Sequence, residues 1–142
     1  MFSNIVVGSD GSDTAAVAVA LAVDLARQHG ATLHVVTAFR APGAVGGGGI
    51  SAGDPSAGEG LYQHAAEKML AELAAGIEGI GVETHVGSGS PASVIVDYDD
   101  EIGADIIVVG SKGMQGKRRV LGSVPNTVAH NAACHVLVAK TV

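Results

Sequence analysis

Short runs rich in Val, Ile and Thr alternate along this chain with longer stretches dominated by Ala, the pattern of strand-then-helix units. The strand segments are Asn4 to Val7, Thr32 to Phe39, Val82 to Val86, Asp105 to Val109 and His135 to Val142. Ile106-Ile107-Val108-Val109 is apolar without interruption, as befits a strand covered on both faces. Helices are predicted from Thr14 to Gln28, Leu61 to Ala75, Pro91 to Ile102 and Ser123 to Ala133. Ser12 or Asp13 is placed to cap the first, Gly30 to stop it, and Pro91 sits in a first turn where its missing N–H costs nothing. Along the second helix Leu61, Ala65, Met69 and Leu73 recur every four residues and are expected to face the core. Gly103 and Gly122 mark the remaining breaks.

Such alternation calls for a parallel sheet with right-handed crossovers and helices on both faces. The expected fold is a doubly wound five-stranded α/β domain, and 142 residues suit one domain spanning 1–142. Arg40 to Gly60 breaks the rhythm, with Gly46-Gly47-Gly48-Gly49, Pro42 and Pro55 and few residues able to pack. It is long for a connection and follows a strand's carboxyl end, the edge where such sheets bind ligands. It reads either as a flexible flap over that edge or as a segment with no function of its own.

Apolar residues make up 47% and charged residues 15%, which excludes a disordered chain. The longest apolar run, Ala15 to Val23, is nine residues, against roughly 20 for a membrane-spanning helix. Met1-Phe2-Ser3-Asn4 has no basic lead into an apolar stretch, so a cytoplasmic protein is expected. One cysteine excludes an internal disulfide and any Cys-x-x-Cys metal site; among Ala132, Ala133 and Val136, Cys134 reads as a small buried core residue. The six histidines contain no His-x-x-x-His pair. The net charge of −6 conceals an asymmetry: Gly110 to Ser123 holds Lys112, Lys117, Arg118 and Arg119 and no acid, so it carries +4 and the remainder −10. A chain acidic elsewhere is poorly suited to a nucleic-acid backbone, which needs a broad basic surface. A small anion at one spot fits better; a solvated loop tip is the plainer alternative.

Two loops are unusual. One is Gly8-Ser9-Asp10-Gly11-Ser12 after the first strand, and the other runs from Gly110 to Ser123 after the fourth. With strand order 3-2-1-4-5 these loops face one another across a crevice, and Asp10 lies opposite the glycines. Glycine at 110, 113, 116 and 122 permits positive φ and close approach to an anion, and Gly122-Ser123 opens a helix whose first amides are unpaired. A phosphate is the expected occupant. Walker A is absent, because Gly116-Lys117 is followed by Arg118 and the upstream glycine position holds Ser111. Gly87-Ser88-Gly89-Ser90-Pro91-Ala92 has the dinucleotide spelling, yet the following strand ends Val108-Val109-Gly110 where an acid is required, so that site is rejected. No G-x-S-x-G elbow occurs. Asp97, Asp99, Asp100 and Glu101 read as a solvated helix face.

These residues resemble the universal stress protein family, specifically its nucleotide-binding branch. The similarity lies in Ile5-Val6-Val7-Gly8-Ser9-Asp10-Gly11-Ser12, Gly87-x-x-x-Pro91, Ala104 to Ser111 and Val136-Leu137-Val138-Ala139. Gly110, Gly113, Gly122 and Ser123 match the family's G-x2-G-x9-G-[ST] phosphate loop, with eight residues instead of nine between Gly113 and Gly122. The resemblance implies strand order 3-2-1-4-5 and an adenine nucleotide in the crevice, ATP first, with AMP or cyclic AMP as alternatives. It implies Asp10 beside the adenosine, Ala38 beside the base, Gly110 and Gly113 along the ribose and α-phosphate, and Gly122 and Ser123 around the phosphates. Gly8, Ser9, Val109, Ser111, Lys112, Arg118 and Val124 complete the implied site. It also implies a homodimeric stress-response regulator joined through the last strand, His135 to Val142, an apolar edge that needs a cover. Asp10 is the one acid near enough to hold Mg2+, so efficient hydrolysis is not expected. A slow ATPase using Gln115 and Arg118, and a nucleotide-free interaction module, are the rival readings.

Overall fold

The computed structural model describes residues 1–40, 55–111 and 122–141, apart from the side chains of 55–59. In chain order the elements are β1 (Asn4–Gly8), α1 (Asp13–His29), β2 (Thr32–Phe39), α2 (Pro55–Ala75), β3 (Val82–Ser88), α3 (Pro91–Ile102), β4 (Ile106–Gly110), α4 (Ser123–Asn131) and β5 (His135–Ala139). The strands form one all-parallel sheet, as the alternating pattern predicts, in the order β3-β2-β1-β4-β5 that the family resemblance implied.

Side-chain alternation divides the core in two. Ile5, Val7, Leu33, Val35 and Val108 point to one face, where Ala18, Ala22 and Ala26 of α1 and Leu70 of α2 cover them. Val6, Val36, Ile107 and Val109 point to the other, under Val94, Ile95 and Tyr98 of α3 and Val128 of α4. The alanines of α1 recur every four residues and let the helix backbone lie close to the sheet. Its ends carry the expected signals: Ser12 Oγ accepts from Ala15 N, and Gly30 is left-handed at φ 64°.

Several expectations are corrected. On α2, Leu61 is 72% exposed and Ala65 is exposed, while Leu70 is fully buried with Met69 and Leu73 half-buried beside it. A helix turns about 100° per residue, so a strict four-residue repeat precesses about 40° per step and leaves the packed face. Pro55 to Gly60 belongs to α2 instead of the expected flap, since proline is accommodated in a first helical turn; residues 41–54 lie outside the described residues. The last strand stops at Ala139 and α4 at Asn131, both short of the expected ends.

Asp99 does not lie on a solvated face. It is 2% exposed, and its Oδ2 has no hydrogen-bond partner among the described residues. Ala92, Ile95 and Asp99 stand at helical spacing i, i+3, i+7, which turns the carboxylate inward with the core positions. Cys134 packs at the edge of the second cluster but is only partly buried, and desolvation, with Asp99 nearby, pushes its thiol up to about 12. It is therefore a protonated packing residue and not a nucleophile at neutral pH.

At the amino-terminal edge of the sheet, Asp99 apart, several polar groups are partnered internally. Asp105 Oδ2 accepts from Ser3 N at 2.7 Å and Asn4 N at 2.9 Å, and these bonds hold its carboxyl below the usual carboxylate range. His34 is buried, with Nδ1 2.8 Å from Tyr98 Oη and Nε2 3.0 Å from Asn4 Oδ1. Glu83 Oε2 lies 3.3 Å from the same Nδ1, and His85 stacks on Tyr98. Burial lowers the His34 pKa against the opposing pull of Glu83, and burial raises that of Tyr98. A neutral His34 giving its Nε2 proton to Asn4 and accepting at Nδ1 from the Tyr98 hydroxyl satisfies both ring nitrogens.

Candidate functional site

At the opposite, carboxyl edge, β1 leads into α1 on one face of the sheet while β4 leads toward α4 on the other. The chain parts there, at the switch point of a doubly wound sheet, and leaves a cavity of about 460 Å³. That volume lies within the range of small-molecule sites.

Residues Gly8, Ser9, Asp10 and Ser12 form one wall. Ser9 N donates to Val36 O, which carries the β1 direction one residue past the strand. The chain then turns: Gly11 N donates to Ser9 Oγ, and Ser12 N donates to Asp10 Oδ1 at 2.9 Å. These bonds hold the Asp10 carboxylate at the cavity mouth.

The floor toward β2 is Val36, Thr37 and Ala38. Val36 O faces β1, whereas Phe39 O faces β3 and accepts from Gly89 N. Backbone direction alternates with a period of two, so the N–H and C=O of Ala38 face the same side as those of Val36. The β1–β2 pairing ends at Gly8 and Val36, and Ala38 therefore presents one donor and one acceptor beyond it. Pro91, Ile95, Val109, Val124 and Pro125 supply the apolar surfaces around this slot.

The far wall is the start of α4. Gly122 is the N-cap and no side chain caps the helix. Asn126 N returns to Gly122 O, and Pro125 has no N–H, so the first turn leaves the amides of Ser123 and Val124 without an acceptor among the described residues. Two open donors and the positive end of a helix thus border the cavity.

The expected reason for the glycines is altered. Gly122 has φ −61°, and Gly110 is absent from the residues of positive φ. What Gly110 provides is room: a Cβ there would lie 3.0 Å from Thr141 Cγ2. Gly87 likewise makes space for α3, since its Cβ would meet Val94 Cγ1 at 2.5 Å. In the dinucleotide-like spelling at 87–92, Gly87 thus allows a close helix–strand contact.

Of the residues singled out from sequence, Gly8, Ser9, Asp10, Ala38, Val109, Gly110, Gly122, Ser123 and Val124 come together around the cavity. Ser111 stands apart: it is 1% exposed, its N–H donates to Ala139 O, and its Oγ accepts from Thr141 N at 2.9 Å. Lys112, Gly113 and Arg118 lie outside the described residues. Sequence reading missed Ser12, Thr14, Ala15, Val36, Thr37, Pro91, Ile95, Pro125 and Thr141 as lining residues. Parallel pairing of Gly110 with Ala139 is the signal that would have found Thr141, because it sets residue 141 beside the carboxyl end of β4. Among the described residues no group of three metal-binding side chains occurs, and no helix is long and apolar enough to cross a membrane.

The universal stress protein family model matches residues 1–140. The universal stress protein YxiE of Bacillus subtilis is 33% identical, over 99% of this chain and 100% of its own length. A universal stress protein solved in complex with cAMP superposes with a TM-score of 0.68 at 31% identity, covering 99% of this chain and 98% of that one. One from Archaeoglobus fulgidus in complex with dAMP does so at 0.60 and 27% identity, covering 97% and 98%. With the fold, strand order and nearly the entire length in agreement, the chain belongs to the universal stress protein family.

Proposed function

We propose that the crevice binds an adenine mononucleotide, ATP foremost, and that the protein acts through this occupancy as a stress-response regulator. One observation carries the reading. The same cavity has an apolar slot edged by a donor–acceptor pair at Ala38, and two amides at the positive end of α4, all without a partner among the described residues. A planar base with adjacent acceptor and donor atoms matches the first, and a phosphate matches the second. Asp10 stands between them on the β1 side, where a sugar hydroxyl would meet it. The structural relatives bound to cAMP and dAMP support an adenine ligand of this size.

Magnitudes agree with a regulator. Hydrogen bonds to a charged phosphate contribute roughly 1.5 to 3 kcal/mol each, and micromolar affinity corresponds to about 8 kcal/mol. A few such bonds and a buried base reach that level. Asp10 is the one carboxylate among the described lining residues, so Mg2+ would gain a single protein ligand there. In this reading a second copy pairs along β5, an outer strand whose Val136, Leu137 and Val138 are only partly buried. Competition of ATP, AMP and cyclic AMP against a fluorescent adenine nucleotide tests the ligand class: all three should displace it, with ATP first. Displacement by GTP as readily as by ATP would contradict the Ala38 assignment.

A further inference from the structure

Thr141 follows the last strand, and nothing in the functional reading has used it. It lines the cavity beside Gly110, and its position is fixed by Ser111. Thr141 N donates to Ser111 Oγ at 2.9 Å, and the two hydroxyls lie 3.4 Å apart. A hydroxyl has one proton and two lone pairs, so Ser111 Oγ can accept from the amide and give its own proton to Thr141 Oγ1. The threonine proton is then left for an acceptor in the cavity. At 3.4 Å the hydroxyl contact is well beyond the usual O–H···O length of about 2.7 to 2.8 Å, so it competes weakly with a charged oxygen.

The sheet order settles which part of a ligand Thr141 would meet. Ala38 belongs to β2, and Thr141 follows β5, three strands away, a separation of roughly 14 Å at ordinary strand spacing. The open amides of α4 belong to the connection between β4 and β5, the end of the sheet away from β2 and Ala38. We infer that Thr141 is a phosphate-contacting residue of the crevice, its hydroxyl donating to a ligand phosphate oxygen beside the α4 amides, and that Ser111 is its positioning residue. This rests on the nucleotide reading above.

The test is calorimetric titration of the chain with AMP and with adenosine, for wild type, Thr141→Val and Thr141→Ser, with ATP titrated into wild type and thermal midpoints recorded alongside. Valine keeps the shape and removes the proton. It should weaken AMP by about tenfold, the scale of one hydrogen bond to a charged group, while adenosine affinity and the thermal midpoint stay unchanged. Serine should restore AMP binding. Equal AMP affinity in wild type and Thr141→Val, or an equal loss for AMP and adenosine, overturns the inference and leaves the nucleotide reading standing. Absence of AMP and ATP binding in wild type overturns both.

Discussion

The two edges of the sheet treat their polar groups in opposite ways. At the amino-terminal edge the chain supplies partners for its own groups: Ser3 and Asn4 amides on Asp105, His34 between Tyr98 and Asn4. At the carboxyl edge the amides of Ser123 and Val124 and the backbone of Ala38 end in a cavity. Both edges are built from the same five strands, so the difference is one of use. Polar groups satisfied by the chain itself stabilise the fold, and polar groups left facing a cavity are available to a ligand.

That contrast can be broken most severely by filling the base slot. Ala38→Trp should abolish nucleotide binding, a loss of at least about 100-fold or roughly 2.7 kcal/mol, with little change in unfolding midpoint. Retained affinity would show that the ligand lies elsewhere. At the other edge the pattern should invert. Tyr98→Phe leaves the buried Nδ1 of His34 without its donor and should cost about 1 to 3 kcal/mol in urea denaturation, with ATP affinity unaltered. A loss of affinity equal to the loss of stability would mean that the edges are not separable.

Acid should act on the amino-terminal edge first. Burial depresses the folded-state pKa of His34, so between that value and the unfolded value of about 6.5 the unfolded chain binds more protons. Stability is therefore complete above about pH 6.5 and declines as pH falls toward the lowered value. Among the described residues the groups facing His34 are Asn4 on β1, Glu83 on β3 and Tyr98 on α3, and of these Glu83 is placed to pair with the cation. Urea midpoints measured from pH 8 to 5 should fall in wild type and fall less in His34→Gln; parallel curves would assign the acid sensitivity to other groups. The smallest effect is expected for Ser123→Ala. If the backbone amides hold the anion, removing that hydroxyl should weaken ATP only about threefold, near 0.7 kcal/mol. A loss as large as that of Ala38→Trp would mean that the side chain, and not the helix end, binds the phosphate.

Much of this was legible before any coordinates. Continuous apolar runs such as Ile106 to Val109 announce strands buried on both faces, and Ser12, Gly30, Pro91 and Gly103 announce helix ends through local chemistry alone. Strand order was implied by the family resemblance, and it is the order that sets the two unusual loops opposite each other. The inward turn of Asp99 was also written in its spacing from Ala92 and Ile95, but it was masked by three acidic neighbours. What sequence could not carry depends on long-range approach. Gly110 looks like a residue chosen for backbone freedom, and its real constraint is a threonine 31 positions later in the chain. Ser111 looks like part of a phosphate loop, and its hydroxyl is engaged by that same threonine.

The most direct measurement is equilibrium titration of the purified 142-residue chain with ATP. Saturable binding at one site per chain, below millimolar and lost in Ala38→Trp, is expected. Absence of saturation below millimolar, or saturation indifferent to Ala38→Trp, would contradict the assignment of the crevice.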